Sequence, residues 1–412
     1  MPDTVYYAII DKVEDDEKRW FFEFHCLEQR FTDGILGLPV KDFFNQISEN
    51  RDQVITLNNT AARIRQYFAV EDFLDTESTW VTLHTNTREE GLPGQLFVEG
   101  NDGPASIYIN GIDPMEPRDP TRLLLEEQVS LATFPDASER ELLDTLEGSN
   151  LSFAEFASVY NVGQGNCNAI CDYGCKPMLY FDLGGGCYAN KHTYPTCLSY
   201  CFTNKPSILL SHWDTDHYQS AKMNIAYQSK DWVVPRQKIG PVHLKFFLAL
   251  SGKKLIWPSL LPQLTIRWGK VILCNGPSGK KNHTGLAFWV SLPATVGGIK
   301  EVLLPADAAY TYIPGISSLT FDGLVATHHG ANFDHGNAPV ISPNGVNAIA
   351  YSYGSTNTYS HPKSTAVAAH VNAGWTSLSK DTSNGHIAFI NGPLPPLACN
   401  ASACNLKITQ HF

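Results

Sequence analysis

The heptapeptide Ser211-His212-Trp213-Asp214-Thr215-Asp216-His217 follows directly on a short apolar run, residues 206–210. Such a run predicts a buried strand that ends in an irregular loop. A loop can turn its side chains towards common points, whereas a helix would spread them and a strand would alternate them between faces. Imidazole and carboxylate together suit Zn, Mn or Fe(II). The stretch therefore predicts a metal site rather than a polar turn with incidental histidines. Its candidate ligands are His212, Asp214, Asp216 and His217.

The same pattern, a short apolar strand that ends in a loop with His or Asp, recurs elsewhere in the chain. One histidine taken alone is more often structural, but repetition over successive strands indicates a shared site. Asp182 stands directly at a strand end, and we expect it to orient a ligand through a hydrogen bond rather than bind metal. The strands and the residues after them are 178–181 with Asp182, 302–304 with Asp307, 323–327 with His328 and His329, and 348–353 with His361.

Charge divides the 412-residue chain near residue 150. Residues 1–150 carry 12 Lys and Arg against 30 Asp and Glu, whereas residues 151–412 carry 18 against 11. Length and charge together predict two domains, 1–150 and 151–412. Within the second, residues 218–300 hold 12 Lys and Arg and one acid, Asp231. This basic stretch is either a solvated face or a surface that attracts anionic ligands, phosphates above all.

Residues 1–150 read as an acidic α+β domain without a catalytic motif. Hydrophobic periodicity predicts strands at 4–10, 20–26, 80–84, 95–98 and 105–109. It predicts helices at 40–48, 61–69 and 121–146, the last with a possible break at Pro135. The acidic runs are typical of solvated faces, but the domain could also cover the basic part of the chain or dock a partner protein.

The ten cysteines and the hydropathy bear on the compartment. Six cysteines lie between Cys167 and Cys201, with wider spacings than the Cys-x-x-Cys of zinc sites. We expect mainly buried free thiols, and a structural zinc held by some of Cys187, His192, Cys197 and Cys201 is the alternative. No run approaches about 18 apolar residues, and the start lacks a secretory pattern. These features predict a cytoplasmic protein with no membrane segment.

Taken together, these residues resemble the metallo-β-lactamase superfamily. Within it they are most similar to the soluble nuclease-like domain of the bacterial DNA-uptake competence protein, the ComEC-like branch. That branch has aspartate, as at Asp214, in place of the middle histidine of His-x-His-x-Asp-His. The chain shares the branch's Val-Gly-Gln-Gly at 162–165, its His-His-Gly at 328–330 and its Ser-x-Gly-x-x-Asn-x-Tyr-x-His-Pro at 352–362.

The resemblance covers about residues 153–395 and implies an α/β fold. This fold would be a four-layer αββα metallo-β-lactamase sandwich, with the metal site at one edge of two facing sheets and the acidic α+β domain before it. The chain departs from the pattern at Asn161 and Asn166, where the branch has acids. It also departs at Asn282-His283-Thr284-Gly285, which lies between the superfamily's His-Thr-x-Gly and the branch's Asn-x-x-Ser.

The resemblance also implies two divalent metal ions, Zn or Mn, as cofactors. One would be bound by His212, Asp214 and His283, and the other by Asp216, His217 and His328, with Asp307 as the bridge. Two such ions about 3.5–4 Å apart activate water and stabilise an in-line displacement. Asp216 would also serve catalysis, and His329 or His361 would protonate the leaving group or bind a phosphate oxygen. Supporting or substrate contacts would come from Asp182, Asn357 and Tyr359.

The metal ligands and the basic stretch favour a metal-dependent phosphodiesterase or nuclease that acts on DNA or a nucleotide. Two observations weigh against strong nucleic-acid binding: the chain has no recognised nucleic-acid module, and its acidic half would repel a polyanion. Two alternatives stay open. The first is a hydrolase of a lactone, thioester or lactam, and the second is a catalytically silent scaffold whose acidic domain binds a partner protein.

Overall fold

The chain forms two compact units in this computed structural model. The first consists of Met1–Phe134 and Lys238–Ala249, and the second of Pro135–Gln237 and Leu250–Phe412. Both units are therefore discontinuous in sequence. The structure describes residues 3–16, 18–148, 154–196, 198–292, 299–333, 338–343, 345–375, 378–390 and 404–412.

Antiparallel strands close into a barrel in the first unit, in the order β1-β2-β3-β5-β6-β4. Alternate residues of β2, Phe22, Phe24 and Cys26, belong to the apolar core of this barrel. The sequence did not predict β3, because polar residues interrupt and follow its short apolar run. The strands are β1 (Thr4–Asp16), β2 (Arg19–Glu28), β3 (Gln53–Asn59), β4 (Trp80–Asn86), β5 (Leu92–Val98) and β6 (Ala105–Pro114).

The helices are short, and one predicted helix is divided. The segment 121–146 forms two helices with separate N-caps, Asp119 for the first and a capping box of Ser138 and Glu141 for the second. The helices are α1 (Gln29–Thr32), α2 (Val40–Glu49), α3 (Ala61–Ile64), α4 (Pro120–Gln128), α5 (Glu139–Glu147), α6 (Gln219–Met223), α7 (Ile225–Gln228), α8 (Pro241–Ala249), α9 (Lys281–Thr284) and α10 (Ser364–Asn372). None of the helices in the described part of the chain is both long and apolar enough to cross a membrane.

Helix α5 explains where the two units divide. Its residues Leu142 and Leu146 are buried in the apolar cluster of the second unit. The division consequently falls between Phe134 and Pro135, ahead of the change in charge near residue 150. Surface charge does not report which core an apolar helix face enters, so the charge pattern did not locate this division.

A buried polar group lies where α8 packs on the barrel of the first unit. Asp11 occupies a bulge between β1 and β2, a distortion that re-aims a side chain. His243 of α8 donates a hydrogen bond from Nε2 to Asp11 Oδ1 over 2.8 Å. His25 Nε2 lies 3.1 Å from Glu23 Oε1 and 3.4 Å from Asp11 Oδ2. These four side chains are almost fully buried, so their mutual contacts offset a large desolvation cost.

The second unit contains an eight-stranded sheet and a seven-stranded sheet. Their orders are β12-β11-β10-β9-β8-β7-β22-β23 and β13-β14-β15-β16-β18-β20-β21, with β17 and β19 as a separate pair. The strands are β7 (Phe156–Val159), β8 (Asn168–Cys171), β9 (Pro177–Phe181), β10 (Ser207–Leu209), β11 (Trp232–Pro235), β12 (Lys254–Trp257), β13 (Gln263–Ile266), β14 (Gly269–Leu273), β15 (Leu286–Ser291), β16 (Glu301–Leu304), β17 (Thr320–Phe321), β18 (Gly323–Val325), β19 (Val340–Ile341), β20 (Ala348–Tyr351), β21 (Leu378–Asp381), β22 (His386–Ile390) and β23 (Ile408–His411).

One apolar cluster takes side chains from both large sheets. Phe181 of β9 and Phe288 of β15 meet there with their ring centroids 6.0 Å apart. Strands β9 and β10 run parallel, as do β16, β18 and β20, so within each sheet their carboxyl ends lie at one edge. The mixed α/β architecture therefore gathers the loops after these strands, and these are the loops that carry His and Asp.

The described cysteines are free thiols, and most are buried. Burial raises the pKa of the Cys274 thiol to about 12, which keeps this sulfur protonated and unreactive. The ring nitrogens of His192 contact the backbone oxygens of Ala189 and Thr356. Cys197 lies outside the described residues. Among those that are described, no cysteine belongs to a group with the spacing of metal ligands.

Candidate metal centre

The loops after β10, β16 and β18 bring buried His and Asp side chains to one place. They form two groups, and within each group the ligand atoms lie within 4.8 Å of one another. The first is formed by His212, His217 and Asp307, and the second by Asp216, His217 and His329. This spacing is one that metal ligands adopt, and the donor set of imidazole and carboxylate suits Zn or Mn.

The Asp307 carboxylate approaches all four histidines of these loops. Its Oδ1 lies 3.2 Å from His217 Nε2, and its Oδ2 lies 3.4 Å from His328 Nε2. The same Oδ2 is 3.6 Å from His329 Nε2 and 3.8 Å from His212 Nε2. Asp307 is 1% exposed, so its charge has to be compensated inside the protein.

Asp182, at the end of β9, orients the loop after β10. Its Oδ1 accepts a hydrogen bond from the backbone N–H of Ser211 over 2.7 Å. Its Oδ2 accepts from the Ser211 hydroxyl over 2.8 Å, from Asn166 Nδ2 over 2.9 Å and from His217 Nδ1 over 2.8 Å. Both carboxylate oxygens are engaged in this way, so Asp182 positions His217.

Hydrogen bonds assign the tautomers of three histidines. His217 donates from Nδ1 to Asp182, and His329 donates from Nδ1 to the Ser352 carbonyl over 2.8 Å. The Ser211 hydroxyl donates to Asp182, so its oxygen accepts from His212 Nδ1 over 3.0 Å. In each neutral ring the Nε2 lone pair then faces the carboxylates. Lone pairs and carboxylates that face one another repel unless a proton or a metal ion lies between them.

Buried polar atoms without hydrogen bonds also indicate that this centre is built to hold a cation. The Nε2 atoms of His212, His217 and His329 and both carboxylate oxygens of Asp307 make no hydrogen bond of good geometry. Such buried polar atoms are costly and are rare outside functional sites. Their chemistry fits a divalent cation, which can accept several of these lone pairs at once.

Electrostatics also show that the centre favours positive charge. Burial opposes protonation of His217, but the carboxylates of Asp307 and Asp182 outweigh it and raise its pKa well above the usual value. Burial likewise opposes ionisation of Asp307, and His217, His329 and His328 together hold its pKa well below the usual value. Strong perturbation by named partners in a buried cluster is typical of functional sites.

Strained backbone supports the assignment. Asp182, Ala306, His328 and His329 adopt left-handed conformations with φ of 66°, 52°, 47° and 55°. For non-glycine residues each such conformation costs on the order of 1 kcal/mol, and they concentrate at functional sites. Ala306, His328 and His329 stand at or next to candidate ligands, and Asp182 accepts a hydrogen bond from the candidate ligand His217.

Glycine is required where the turn after β9 meets the loop that carries Asp216 and His217. A Cβ at Gly184 would lie 1.9 Å from the Asp216 carbonyl oxygen. The backbone N–H of Gly185 donates to that oxygen over 2.9 Å, and the N–H of Leu183 donates to His217 O over 3.0 Å. The glycine-rich turn therefore supports the backbone of Asp216 and His217.

The structure places the adjacent histidines differently from the sequence assignment. The resemblance to the family implied a metal-binding role for His328 and a proton-transfer role for His329. Both Nε2 atoms approach Asp307, but it is His329 that joins Asp216 and His217 in a group of ligand atoms. His329 is 2% exposed and His328 13%. Sequence could not distinguish them, because the left-handed backbone at both decides the direction of each ring.

The structure places His283 and Asp214 outside both groups of ligand atoms. His283 Nδ1 accepts a hydrogen bond from the Ala309 N–H over 3.3 Å, and its ring packs on Tyr312. Burial, the nearby His328 and Lys280 lower its pKa to about 4. Asp214 Oδ1 lies 3.0 Å from Lys281 Nζ. From the sequence, Lys281 counted only as one residue of the basic stretch. Its position next to Asn282-His283 could have indicated that it lies near the candidate centre.

The tail motif brings His361 next to the centre. The ring of His361 lies 5.6 Å from that of His328 and 6.4 Å from that of His329. Gln164 Nε2 contacts its Nδ1 at 3.3 Å. Asn357 holds the loop, since it donates to His361 O and accepts from His361 N. Tyr359 packs against the His361 ring. Asn357 and Tyr359 thus support His361.

Three polar residues that the sequence did not assign also serve the centre. Ser211 fixes His212, Ser352 fixes His329, and Gln237 accepts from the Trp213 N–H while it donates to Lys281 O. Asn166, one of the departures from the branch pattern, donates to Asp182.

Compared with known protein families and with curated proteins, the chain matches none.

Proposed function

We propose that this chain is a metal-dependent hydrolase of the phosphodiesterase or nuclease type, acting on DNA or a nucleotide. The observation that carries the proposal is the convergence of three buried imidazole Nε2 atoms on the carboxylates of Asp307 and Asp216. Evolution rarely retains so many opposed lone pairs in a dry site without a cation. We propose Zn or Mn, because both accept this donor set.

The fold proposal accompanies it. We propose that the two sheets of the second unit form the four-layer αββα sandwich of the metallo-β-lactamase superfamily. The apolar cluster shared by both sheets supports this. A second cluster, in which Ala366 of α10 packs with Leu303 and Ile349, supports a helical layer against the seven-stranded sheet.

Each side chain of the centre would have a defined task. A bound divalent cation supplies Lewis acidity and lowers the pKa of water. Asp216, His217, His329 and Asp307 would hold it, and Asp182 and Ser352 keep the rings of His217 and His329 in the tautomer that binds metal. His361, steadied by Gln164 and Asn357, would hold or move a proton at Nε2 next to the departing group.

The proposed substrate class rests partly on the basic stretch, residues 218–300. Ion pairs reduce the number of its side chains that could bind a phosphate. Arg236 pairs with Asp136, Lys238 with Glu126, Lys245 with Glu99 and Arg267 with Glu147. These side chains are therefore not all available to a phosphate. This observation keeps a second candidate in view, hydrolysis of a lactone, thioester or lactam at the same centre.

The test is turnover of bis-p-nitrophenyl phosphate and single-stranded DNA with added Mn or Zn. We expect activity in the full chain and none in the double variant His212→Ala/Asp307→Ala. The control is Arg140→Ala, at an exposed ion pair with Asp144 on α5 and outside the basic stretch. Turnover of carboxylic esters with no phosphodiester cleavage would move the function to the second candidate. A chain that binds no metal and cleaves neither substrate would refute the proposal.

A further inference from the structure

A buried lysine, Lys281, contacts Asp214, a residue that the family resemblance would use to bind one of two metal ions. Lys281 Nζ lies 3.0 Å from Asp214 Oδ1, and both side chains are 2% exposed. The other oxygen of Asp214 lies 3.5 Å from His212 Nε2. A buried carboxylate and a buried ammonium at this distance neutralise each other, and separating them would leave an uncompensated charge in the interior.

The side chain of Gln237 connects the backbone of Lys281 to the loop that carries Asp214. Gln237 donates from Nε2 to the Lys281 carbonyl over 2.7 Å and to Thr284 Oγ1 over 3.0 Å. Its Oε1 accepts from the backbone N–H of Trp213 over 3.1 Å. One amide side chain therefore joins α9 to the loop that carries Asp214. Gln237 thereby fixes the backbone of Lys281 at the start of α9.

His283, the remaining candidate ligand on that side, faces a different partner. The N–H of Ala309 donates to its Nδ1, and its ring packs on Tyr312 with the centroids 4.7 Å apart. A Cβ at Gly276 would lie 2.3 Å from the Cβ of His283, so this region is tightly packed. A turn of the His283 ring towards Asp214 would have to break these contacts.

The two groups of ligand atoms also share a residue. His217 belongs to both groups, and its Nδ1 is engaged by Asp182. Only Nε2 remains, and one imidazole nitrogen has one lone pair for one metal ion. The groups are therefore alternative subsets of a single set of ligands and not two sites that can be filled together.

We propose that the centre binds one divalent cation per chain, through Asp216, His217, His329 and Asp307, and that the Lys281 ammonium takes the place of a second cation. This inference rests on the proposed function. Lys281 is a positioning residue: it neutralises Asp214 and repels a further cation from it, because like charges in a dry site interact strongly. The centre would then hold one exchangeable divalent cation and, beside it, the positive charge of the Lys281 ammonium.

The experiment measures Mn²⁺ bound to the metal-stripped full chain by elemental analysis, together with the electron paramagnetic resonance spectrum. We expect one equivalent and the signal of an uncoupled ion. In Lys281→Met, which keeps the length of the side chain but not its charge, we expect a second equivalent and the signal of a coupled pair. Lys280→Met is the matched control, since it leaves the Lys281–Asp214 pair intact, and it should behave as the unmodified chain.

Two equivalents with a coupled signal in the unmodified chain would overturn the inference and leave the proposed function standing. One equivalent in a folded Lys281→Met would overturn the role given to Lys281. No bound Mn²⁺ in any of the chains would instead refute the proposed function and, with it, this inference. Because the unmodified chain is measured too, a Lys281→Met chain that fails to fold still leaves the stoichiometry decided.

Discussion

Asp182 and His217 form the hydrogen bond that orients the candidate metal centre. His217 donates from Nδ1 to Asp182 Oδ2 over 2.8 Å, and both side chains are fully buried. The two residues are 35 positions apart and come from the ends of the neighbouring parallel strands β9 and β10. The bond fixes the ring so that its other nitrogen faces Asp307, 3.2 Å away.

Replacing Asp182 with Asn should weaken metal binding without removing a ligand. The amide group puts N–H groups where one carboxylate oxygen accepts hydrogen bonds, so His217 loses its acceptor and its fixed tautomer. Loss of such a partner typically costs about 10- to 100-fold in metal affinity. Competition with a chelator of known affinity measures the change. The control is Asp172→Asn, which alters a turn between β8 and β9, and equal losses in both variants would contradict this role of Asp182.

Replacing His361 with Asn should slow turnover while metal binding is unchanged. The side chain lies next to His328 and His329 but outside both groups of ligand atoms. A positioned proton donor typically contributes about 10²- to 10⁴-fold to the rate, so we expect a loss in kcat of that order. Rate assays and metal analysis of the same preparation separate the two effects. His192→Asn, at an exposed position, is the control. Loss of metal from the His361 variant would show that His361 binds it.

Replacing Gly184 with Ala should disturb the ligand loop through its backbone. The new Cβ would overlap the Asp216 carbonyl oxygen, so the loop with Asp216 and His217 has to shift. We expect a fall in metal affinity of about tenfold or more, because ligands must keep their mutual geometry to within about 0.5 Å. Chelator competition measures it. Gly103→Ala meets no atom within 4 Å and should have no effect.

Stability of the second unit should fall as the pH drops below about 6.5. Burial lowers the pKa of His370 and of His386 to about 4 each. Between a pH of about 4, the pKa of these rings in the folded chain, and about 6.5, their pKa in the unfolded chain, the unfolded chain binds protons that the folded chain does not. Their contribution to stability is therefore complete above about pH 6.5 and is lost as the pH falls towards about 4. Each residue contributes up to about 1.4 kcal/mol per pH unit.

The variant His370→Phe tests this pH dependence. It removes one of the groups that take up a proton on unfolding in this pH range, so the slope of stability against pH should become shallower. It also leaves the hydroxyls of Tyr310 and Tyr351 without their imidazole partner, at a cost of about 1–3 kcal/mol at neutral pH. Urea unfolding between about pH 7.5 and 5 measures both quantities. An unchanged slope, with exposed His192→Gln as the reference, would contradict the assignment.

Replacing His243 with Ala should destabilise the first unit by about 3 kcal/mol or more, because it removes a buried hydrogen-bond donor from the Asp11 carboxylate. The matched control is His84→Ala. His84 lies 3.2 Å from Asp113, but both side chains are exposed, so its loss should cost no more than about 0.5 kcal/mol. Denaturant unfolding compares the two variants, and similar costs would show that burial of the Asp11 group is unimportant.

Local sequence predicted the elements of the site well. The strands expected before Asp182, His212, Asp307 and His328 are present as β9, β10, β16 and β18, because short apolar runs bounded by turn residues encode buried strands directly. The loops after them carry the predicted His and Asp residues. Strand β3 was not predicted, since polar residues interrupt and follow its short apolar run.

By itself the sequence determined which strands form before these loops and which loops carry the candidate metal ligands, since periodicity and residue type are properties of neighbours in the chain. Only the tertiary structure decided that Lys281 pairs with Asp214, that His329 joins Asp216, and that 238–249 folds with the first unit. These relationships depend on the packing of α9, the left-handed backbone at 328–329 and the apolar faces of distant segments. Each is a contact between residues far apart in sequence, and local pattern holds no information about such contacts.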